Sequence, residues 1–395
     1  MKTVYIVGIG LGAETVTGEG MTAIRQADLL LGAPRMLEPF AHLGKPTAAE
    51  YAPDRVAGLL KESNGNTFAV LVSGDVGFFS AAQGITQALD FCQVEWIPGL
   101  SSLNTFFARI KRPWQEAALL SCHGRQSNLA DAVRRNRLTF ALTGGNIPDL
   151  AQTLMKAGWE DLTAYAGENL GMDSERVFSC LVRDLGQQKV GSLSVLLIEN
   201  PAPDNRCLTG IPDEAFQRGS VPMTKAEVRS VILSKLALRP GDICADIGAG
   251  TGSVTVEMAL SAWKGHVYGV ERNPEGLDLI RTNCKHFHIG NVTPVPGHAP
   301  EALADLPPLD AAFIGGSGGE MRTIVDEILK KNPKARLVVS VIAIESLQAA
   351  MESFQAHGMD YDVVQIGISR TRAAGGLHLL MAQNPIFILS AGGRP

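Results

Sequence analysis

Short apolar runs that end at glycine or at small polar residues alternate with amphipathic stretches along the whole chain. The first three runs of this kind predict buried strands at 3–7, 68–72 and 94–97. The loops that follow them are Gly-Ile-Gly-Leu-Gly at 8–12, Ser-Gly-Asp at 73–75 and Pro-Gly-Leu-Ser-Ser at 98–102. Because parallel strands end at the same edge of a sheet, these loops are predicted to share one ligand site.

A second set of alternating elements follows the first 113 residues. An apolar run ends at His123 and Arg125, a basic helix is predicted over 128–136, and further strands are predicted at 139–143, 162–166 and 193–198. Asn-Pro-Ala-Pro-Asp-Asn at 200–205 breaks the pattern and is typical of a linker. We therefore predict a first domain at 1–205, with lobes of about 1–113 and 114–205, a linker at 206–220 and a second domain at 221–395.

The predicted second domain repeats the strand and helix alternation to the end of the chain. Thr224 and Glu227 have the spacing of a helix capping box, and Ser317 and Glu320 are predicted to cap a later helix. Strands are predicted at 243–247, 267–270, 311–314, 337–342, 363–368 and 386–389. The last two, joined through 370–376, are predicted to pair antiparallel at the sheet edge. This alternation predicts a doubly wound α/β sheet.

A glycine-rich turn in this domain carries the main chemical signal. Asp246 lies near the end of a strand that runs into Gly-Ala-Gly-Thr-Gly at 248–252, and a helical pattern begins directly afterwards. Glycines allow the backbone to approach a ligand, and a helix start offers unpaired N–H groups. Glu271 ends the next strand, where a carboxylate can accept both ribose hydroxyls of an adenosine. A nucleotide-like ligand is predicted here.

Two ligands compete for this turn, and a purely structural turn is a third interpretation. The dinucleotide fingerprint needs a third Gly or Ala where this chain has Ser253. The spacing therefore favours S-adenosylmethionine (SAM), and in that interpretation Asp246 faces its methionine amino end.

Composition narrows the class of protein. A chain of 395 residues exceeds what one core usually holds, and 45% hydrophobic and 19% charged residues are typical of globular domains. The net charge of −5 argues against a nucleic-acid or membrane partner. The six cysteines form no C-x-x-C pair, which favours free thiols in a reducing cytoplasm. His286 and His288 have a metal-like spacing without a carboxylate cluster, so no metal site is predicted.

Motifs in both halves resemble known methyltransferase families. The second domain resembles decarboxylating precorrin-6Y methyltransferases through Met-Thr-Lys at 223–225, Asp-Ile-Gly-Ala-Gly-Thr-Gly at 246–252, Phe-Ile-Gly-Gly-Ser-Gly-Gly at 313–319 and Gln-Asn-Pro-Ile-Phe at 383–387. The first domain resembles the tetrapyrrole (class III) methylases through the loops at 8–12, 73–75 and 98–102 and through Ser-Cys-His-Gly-Arg at 121–125. The resemblance covers nearly the whole chain.

The resemblance implies a fold and an activity. It implies a two-lobed class III α/β domain followed by a Rossmann-like class I SAM-dependent methyltransferase domain. The first would methylate C5 of precorrin-6Y, and the second would methylate C15 and remove CO2 from the C12 acetate, giving precorrin-8 in cobalamin biosynthesis. Two SAM sites per chain, a tetrapyrrole substrate, a homo-oligomer (dimer or tetramer) and a cytoplasmic location are expected.

The candidate site residues divide into three groups. The predicted SAM-binding residues are Leu11, Gly74, Asp75, Phe78, Ser101, Ser102 and Leu142 in the first domain and Thr224, Asp246, Gly248, Ala249, Gly250, Thr251, Gly252, Glu271, Arg272 and Ala299 in the second. The predicted substrate-binding residues, chosen for carboxylate recognition or for their glycine-rich turn, are Arg125, Arg229, Gly315, Gly316, Arg370 and Arg372. His123 and Ser317 are the candidate catalytic residues.

An RNA or tRNA base methyltransferase with a fused accessory domain is the alternative. Such an enzyme would share the second domain's sheet. However, the Asn/Asp-Pro-Pro-aromatic signature of amino-group methylation is absent, and Leu-Pro-Pro-Leu at 306–309 precedes its strand. A basic face is also missing from the sequence.

Overall fold

The computed structural model describes residues 1–123, 127–204 and 209–393, and these form two compact units. The first unit contains Met1–Gln126, Arg137–Leu150 and Asp161–Pro201, and the second contains Ser127–Asn136, Ala151–Glu160 and Ala202–Pro395. Residues 209–220 of the predicted linker lie in the second unit, where Ile211 and Phe216 are buried in its core. Residues 205–208 of the predicted domain junction are outside the described residues.

The first unit begins with a parallel five-stranded sheet. Its strands are β1 (Thr3–Gly8), β2 (Leu29–Gly32), β3 (Thr47–Ala48), β4 (Thr67–Val72) and β5 (Gln93–Ile97), in the order β3-β2-β4-β1-β5. Its helices are α1 (Gly18–Gln26), α2 (Pro34–Leu37), α3 (Pro53–Glu62), α4 (Ala82–Ala88) and α5 (Ser102–Arg109). The apolar runs of β1 and β4 are almost fully buried, as expected for strands with both faces covered.

The second sheet of the chain is mixed. Its strands are β6 (Ala117–Ser121), β7 (Leu138–Leu142), β8 (Thr163–Glu168), β9 (Arg176–Leu181) and β10 (Ser194–Glu199), in the order β6-β7-β10-β8-β9. The helices here are α6 (Leu129–Arg135), α7 (Ile147–Lys156) and α8 (Val182–Leu185). Among the described strands of this sheet, only β6 and β7 pair in parallel. Phe106 and Phe107 of α5 pack on Phe140 of β7, so α5 joins the cores of the two sheets in the first unit.

The second unit is built on a seven-stranded sheet. Its strands are β11 (Ile243–Ile247), β12 (His266–Glu271), β13 (Val292–Pro296), β14 (Ala311–Ile314), β15 (Arg336–Val341), β16 (Tyr361–Ile366) and β19 (Ile386–Ala391). A separate hairpin of β17 (Ser369–Ala374) and β18 (Leu377–Ala382) lies between β16 and β19 in the sequence. Its helices are α9 (Ala226–Leu236), α10 (Ser253–Ser261), α11 (Pro274–His286), α12 (Met321–Lys331) and α13 (Ile344–Ala356).

The strand order of this sheet is β13-β12-β11-β14-β15-β19-β16, with β19 antiparallel to both neighbours. The reversal of strand order at β11 and β14 places the loops after these strands at the topological switch point. The two-domain α/β fold class predicted from the sequence is confirmed. No helix within the described ranges is both long and apolar enough to cross a membrane.

Two local predictions in the second unit are wrong. Thr224 and Glu227 do not form a capping box, because Lys225 occupies the N-cap of α9 and the Ala226 N–H donates to Asp213. Glu320 occupies the N-cap position of α12, but its side chain makes no capping hydrogen bond, and Ser317 lies three residues before it. At the start of α9, the carboxylate of Asp213, which is distant in the sequence, thus replaces a local side-chain cap.

The stretch predicted as a connecting loop at 370–376 is also different in the structure. It contributes to strand β17, which pairs only with β18 in a two-stranded hairpin. β16 and β19 do pair antiparallel as predicted, and the hairpin is inserted between them. Arg370 and Arg372 therefore lie on a strand and on the same face of the hairpin.

Candidate functional site

Three strand-end loops of the first unit are in direct backbone contact. The loops after β1 and β4 exchange two hydrogen bonds, from Gly10 N to Gly74 O at 3.1 Å and from Gly74 N to Gly10 O at 2.9 Å. A Cβ atom at Gly99, after β5, would overlap the carbonyl oxygens of Gly8 and Gly74. Gly8 and Gly99 have backbones too close to their neighbours for a side chain, and Gly10 and Gly74 have φ values of +67° and +66°, which favour glycine. The structure thus brings together the loops that the sequence predicted to meet.

Polar side chains fix the shape of these loops. The two oxygens of the Asp75 carboxylate accept from Gly77 N at 2.8 Å and from Gly99 N at 3.2 Å, which ties the loops after β4 and β5 together. Ser101 is the N-cap of α5 and accepts from Asn104 N at 3.2 Å. Each Asp75 oxygen retains acceptor capacity, so its loop-shaping role is compatible with ligand binding.

The apolar members of the predicted set lie beside these loops. Leu11, Phe78 and Leu142 are partly buried and pack against the cluster that contains Phe106 and Phe140. Ser102 opens α5 directly after the Ser101 cap. The predicted SAM-binding residues of the first domain are therefore contributed by both sheets of the first unit.

His123 lies at the end of β6, beside the end of β7. Its side chain is exposed and sits where a Cβ atom of Gly144 would be, and Gly144 has a φ of +61°. Arg125, the predicted carboxylate-binding residue two positions later, is outside the described residues. The structure places His123 at a strand end without giving it a described acidic partner that would identify it as a base.

The glycine turn of the second unit closes on Glu271. Gly250 has a φ of +55°, and its N–H donates to Glu271 Oε2 at 2.8 Å. The other oxygen of Glu271 accepts from Asn273 N at 2.8 Å, and the residue is 8% exposed. Glu271 therefore supports the turn and keeps one acceptor site on each oxygen for a ligand. Gly248 and Arg272 are exposed beside it, whereas Ala249, Thr251 and Gly252 are buried.

Asp246 is the most unusual group at this turn. It is 0% exposed and accepts from Thr255 Oγ1 at 2.5 Å through Oδ2, while its Oδ1 has no partner among the described residues. Burial raises its pKa to about 7, although the Thr255 hydrogen bonds lower it, and the nearby charge of Glu271 adds to the rise. The hydroxyl of Thr251 is also buried and unpartnered in the described structure. Two orphaned buried polar atoms at a glycine turn indicate a ligand that supplies their partners.

A second glycine turn follows β14 and touches the first. Gly315 N and Gly316 N both donate to Ile247 O, at 2.9 and 3.3 Å. Ser317 is partly exposed on this turn, and the His298 side chain lies against Gly318. Ala299, next to His298, is 6% exposed. Asp246, the two glycine turns and Ala299 are thus brought to the carboxyl edge of the sheet.

Sequence reasoning missed two apolar residues at the same sheet edge. Ile342 directly follows β15 and Ile344 is the first residue of α13, and they are 60% and 72% exposed. Large apolar side chains at a strand end beside glycine-rich turns are suited to a flat apolar ligand. The available signal was the presence of large apolar residues at and just after the end of the predicted strand at 337–342, where polar residues are the rule.

The prediction that Arg229 binds substrate is wrong. Arg229 is 0% exposed, and its guanidinium bonds to Glu257 at 2.9 Å, to Asp213 at 3.0 Å and to two backbone carbonyls. Each nitrogen of its guanidinium therefore already donates to a group of the protein, so Arg229 does not serve to bind a substrate carboxylate. Its place one turn before the buried Leu233 of α9 was the sequence signal that it faces the core.

The two arginines of the hairpin have different surroundings. Arg370 makes a bidentate pair with Glu227, at 3.1 and 2.6 Å, and holds the pKa of that carboxyl below its usual value. Arg372 is exposed and lies two residues farther along the same hairpin face. Only Arg372 therefore presents its guanidinium without a described acidic partner. Among the residues that the structure describes, no group of three His, Cys, Asp or Glu side chains is arranged for a metal ion.

Comparisons with known proteins find two family models that match successive parts of the chain. A family model described as tetrapyrrole (corrin/porphyrin) methylases matches residues 3–186, and one described as a precorrin methyltransferase domain matches residues 214–392. A probable cobalt-precorrin-6B C(15)-methyltransferase (decarboxylating) from Pyrobaculum calidifontis is 45% identical over 185 residues, which are 46% of this chain and 95% of that protein.

Two further comparisons concern proteins named for both methylations. A crystal structure of a precorrin-6Y C5,15-methyltransferase from Geobacter metallireducens is 36% identical, with a TM-score of 0.45, and the match covers 47% of this chain and 98% of that one. The precorrin-6Y C(5,15)-methyltransferase (decarboxylating) from Sinorhizobium is 30% identical over 387 residues, which are 94% of this chain and 92% of that protein. Because that relative is matched along nearly its whole length, this chain belongs to the family of decarboxylating precorrin-6Y C5,15-methyltransferases.

Proposed function

We propose that this chain methylates precorrin-6Y at C5 and C15 and removes CO2 from its C12 acetate, giving precorrin-8. The first unit is assigned to C5, and the second to C15 and to the decarboxylation. The observation that carries this proposal is the presence of two separate strand-end sites, one in each unit, in a chain matched along its length by a bifunctional relative. Two methyl transfers require two donors, so each chain is expected to bind two SAM molecules.

The residues of each site are suited to this chemistry. SAM supplies an electrophilic methyl group, and methyl transfer is an in-line displacement that depends mainly on positioning. In the second unit, the orphaned Oδ1 of Asp246 fits the methionine amino group, and the free acceptor sites of Glu271 fit the ribose. In the first unit, Asp75 and the glycine loops shape the site, with Leu11 and Phe78 as apolar walls.

The substrate supplies the remaining chemistry. A reduced tetrapyrrole offers its own enamine carbon as the nucleophile and its macrocycle as the electron sink for loss of CO2. The protein therefore has to orient and desolvate one acetate, a role that needs no catalytic triad. In the second unit we assign Ile342 and Ile344 to the macrocycle and Arg372 to a peripheral carboxylate. Gly315 and Gly316 have no side chains and leave room for the substrate. We also propose that the reaction takes place in the cytoplasm.

The direct test is conversion of precorrin-6Y by the purified full-length chain with SAM. Mass spectrometry is expected to show that the product has gained two methyl groups and lost one CO2. The same assay with cobalt-loaded substrate identifies the metal state that the enzyme uses. A product that retains every carboxylate with either substrate would contradict the proposal.

Asp246 makes SAM binding at the second site depend on pH. Its pKa of about 7 means that much of the carboxyl group is protonated near neutrality, whereas a bound ammonium favours the ionised form. Binding is therefore expected to release a proton, and affinity should fall about tenfold per pH unit as the pH drops below 7. Calorimetry in buffers with different ionisation enthalpies measures this release. Asp246→Asn should weaken SAM binding and abolish its pH dependence. An unchanged pH profile in this variant would mean that a group other than Asp246 releases the proton.

We also propose that the hairpin of β17 and β18 joins copies of this chain in a homo-oligomer. Leu377, Leu379, Leu380 and Met381 are between 46% and 72% exposed, and both hairpin edges are unpaired in the described structure. A two-stranded hairpin is marginally stable alone, and a second copy supplies a matching edge and a matching apolar surface by two-fold symmetry.

Light scattering tests the hairpin proposal. The native chain is expected to be a dimer or tetramer, and Leu377→Glu with Leu379→Glu should give monomers, because these two side chains share one face of β18 and their charges would be buried in the interface. Leu59→Glu, an exposed substitution on α3 of the first unit, is the matched control and should leave the oligomer intact. Oligomers that survive the double substitution would place the interface on another surface.

A further inference from the structure

A network of buried polar side chains bonds to the segment that precedes α9. Glu257 of α10 is 0% exposed and accepts from Gly210 N and Ile211 N, each at 2.9 Å, as well as from Arg229 Nε at 2.9 Å. The Arg229 guanidinium lies 4.8 Å from the centre of the Phe216 ring. This network fixes the start of the segment on the core of the second unit.

Asp213 is the centre of this network. Its side chain is 1% exposed, and Oδ1 accepts from Arg229 Nη1 and from Ala226 N, both at 3.0 Å. Oδ2 lies 3.4 Å from Arg370 Nη2 and 3.7 Å from Lys225 Nζ. Burial alone would raise the pKa of Asp213, but the Arg229 hydrogen bond and the three cationic side chains hold it below its usual value. Asp213 is therefore a buried carboxylate anion that connects its own segment to the start of α9 and to the hairpin.

The segments that meet at Asp213 lead to the candidate site. Arg229 Nη1 also donates to the carbonyl of Thr224, so a buried side chain anchors the loop at 222–225. On its other side this loop touches the glycine turn, because a Cβ atom at Gly250 would lie 2.6 Å from Pro222 O. Arg370 connects the same carboxylate to the root of the hairpin that carries Arg372. One buried group thus fixes both the loop beside the SAM turn and the base of the hairpin.

We propose that Asp213 is a positioning residue for the second methylation site, which holds the loop at 222–225 against the glycine turn at 248–252. It acts through Arg229 and the Ala226 N–H and does not touch SAM or substrate. The inference rests on the proposed function of the second unit. Loss of Asp213 is expected to let the loop move away from the turn, which weakens SAM binding without removing any SAM ligand.

The test uses the full-length chain with the Asp213→Asn substitution, which keeps the size of the side chain and removes its charge. Calorimetry well below the melting temperature is expected to show SAM affinity at the second site reduced about tenfold, as for loss of a charged hydrogen bond. The first unit's SAM site is the internal reference and should be unchanged. In steady state the KM for SAM in the decarboxylating reaction should rise more than kcat falls.

Asp242→Asn is the matched control for a purely structural role. Asp242 is also a buried aspartate paired with an arginine, Arg336, but it precedes β11 and so lies at the amino end of that strand, away from the glycine turn. This variant is expected to lower the melting temperature and leave both SAM affinities unchanged. If Asp213→Asn behaves like Asp242→Asn, Asp213 has only a structural role and the inference is overturned.

A second variant covers the case in which Asp213→Asn does not fold. Proline is favoured at the first position of a helix, and the extended backbone of Lys225 suits the residue before a proline. Ala226→Pro should therefore preserve α9 while it deletes the N–H donor to Asp213. SAM affinity at the second site is expected to fall about fivefold. Native affinity in folded Ala226→Pro would count against the inference. Absence of a second SAM site in the unsubstituted chain would instead refute the proposed function, so the two failures are distinguishable.

Discussion

Gly250→Val is expected to abolish decarboxylation while leaving one SAM site per chain. A Cβ atom at this position would lie 2.6 Å from Pro222 O, and a β-branched residue is strained at a φ of +55°. The turn would have to move, which would also break the bond from Gly250 N to Glu271. Calorimetry should therefore count one SAM molecule where the native chain binds two, and mass spectrometry should find every carboxylate of the substrate retained.

Gly99→Val makes the corresponding change in the first unit. A Cβ atom there would overlap the carbonyl oxygens of Gly8 and Gly74, so the three loops after β1, β4 and β5 could not keep their contacts. This variant should also bind one SAM molecule, and its product should have gained one methyl group and lost one CO2. Decarboxylation by Gly250→Val, or its loss in folded Gly99→Val, would reverse the assignment of the two units.

The sequence predicted the strand ends well because the signals there are local. An apolar run that stops at a glycine turn reports both burial and a close backbone approach, so the loops at 8–12, 73–75 and 248–252 were found without any tertiary information. Their meeting followed from the rule that parallel strands share a carboxyl edge, and the contacts of Gly10 with Gly74 and of Gly248 with Gly316 agree with it.

The features that sequence reasoning missed depend on residues far apart in the chain. Asp213 replaces the predicted Thr224 cap by accepting from the Ala226 N–H. The Glu227 side chain, which the capping box needed, instead pairs with Arg370. The hairpin of β17 and β18 was missed because strands that are exposed on both faces lack the alternation of buried and exposed positions.

The largest effect on stability is expected from removing residues 209–220, which the sequence identified as part of a linker. Ile211 and Phe216 are 6% and 4% exposed in the core of the second unit. Without this segment, Glu257 loses its two backbone donors, and Arg229 loses Asp213 and the carbonyl of Ile211. Removing one partner of a buried ion pair costs roughly 3–5 kcal/mol, which is a large fraction of the stability of a typical domain.

Two fragments separate the contribution of this segment from that of the rest of the second unit. A fragment of residues 209–395 is expected to unfold cooperatively, bind one SAM molecule, and convert precorrin-6Y to a product with one added methyl group and one lost CO2. A fragment of residues 221–395 should be unfolded or should melt far below the longer one in circular dichroism. Both fragments lack residues 127–136 and 151–160, which the intact second unit also contains, so a difference between them belongs to the segment. Equal melting temperatures would mean that Arg229 and Glu257 find other partners, and the segment would then be a linker in the sense that its composition suggests.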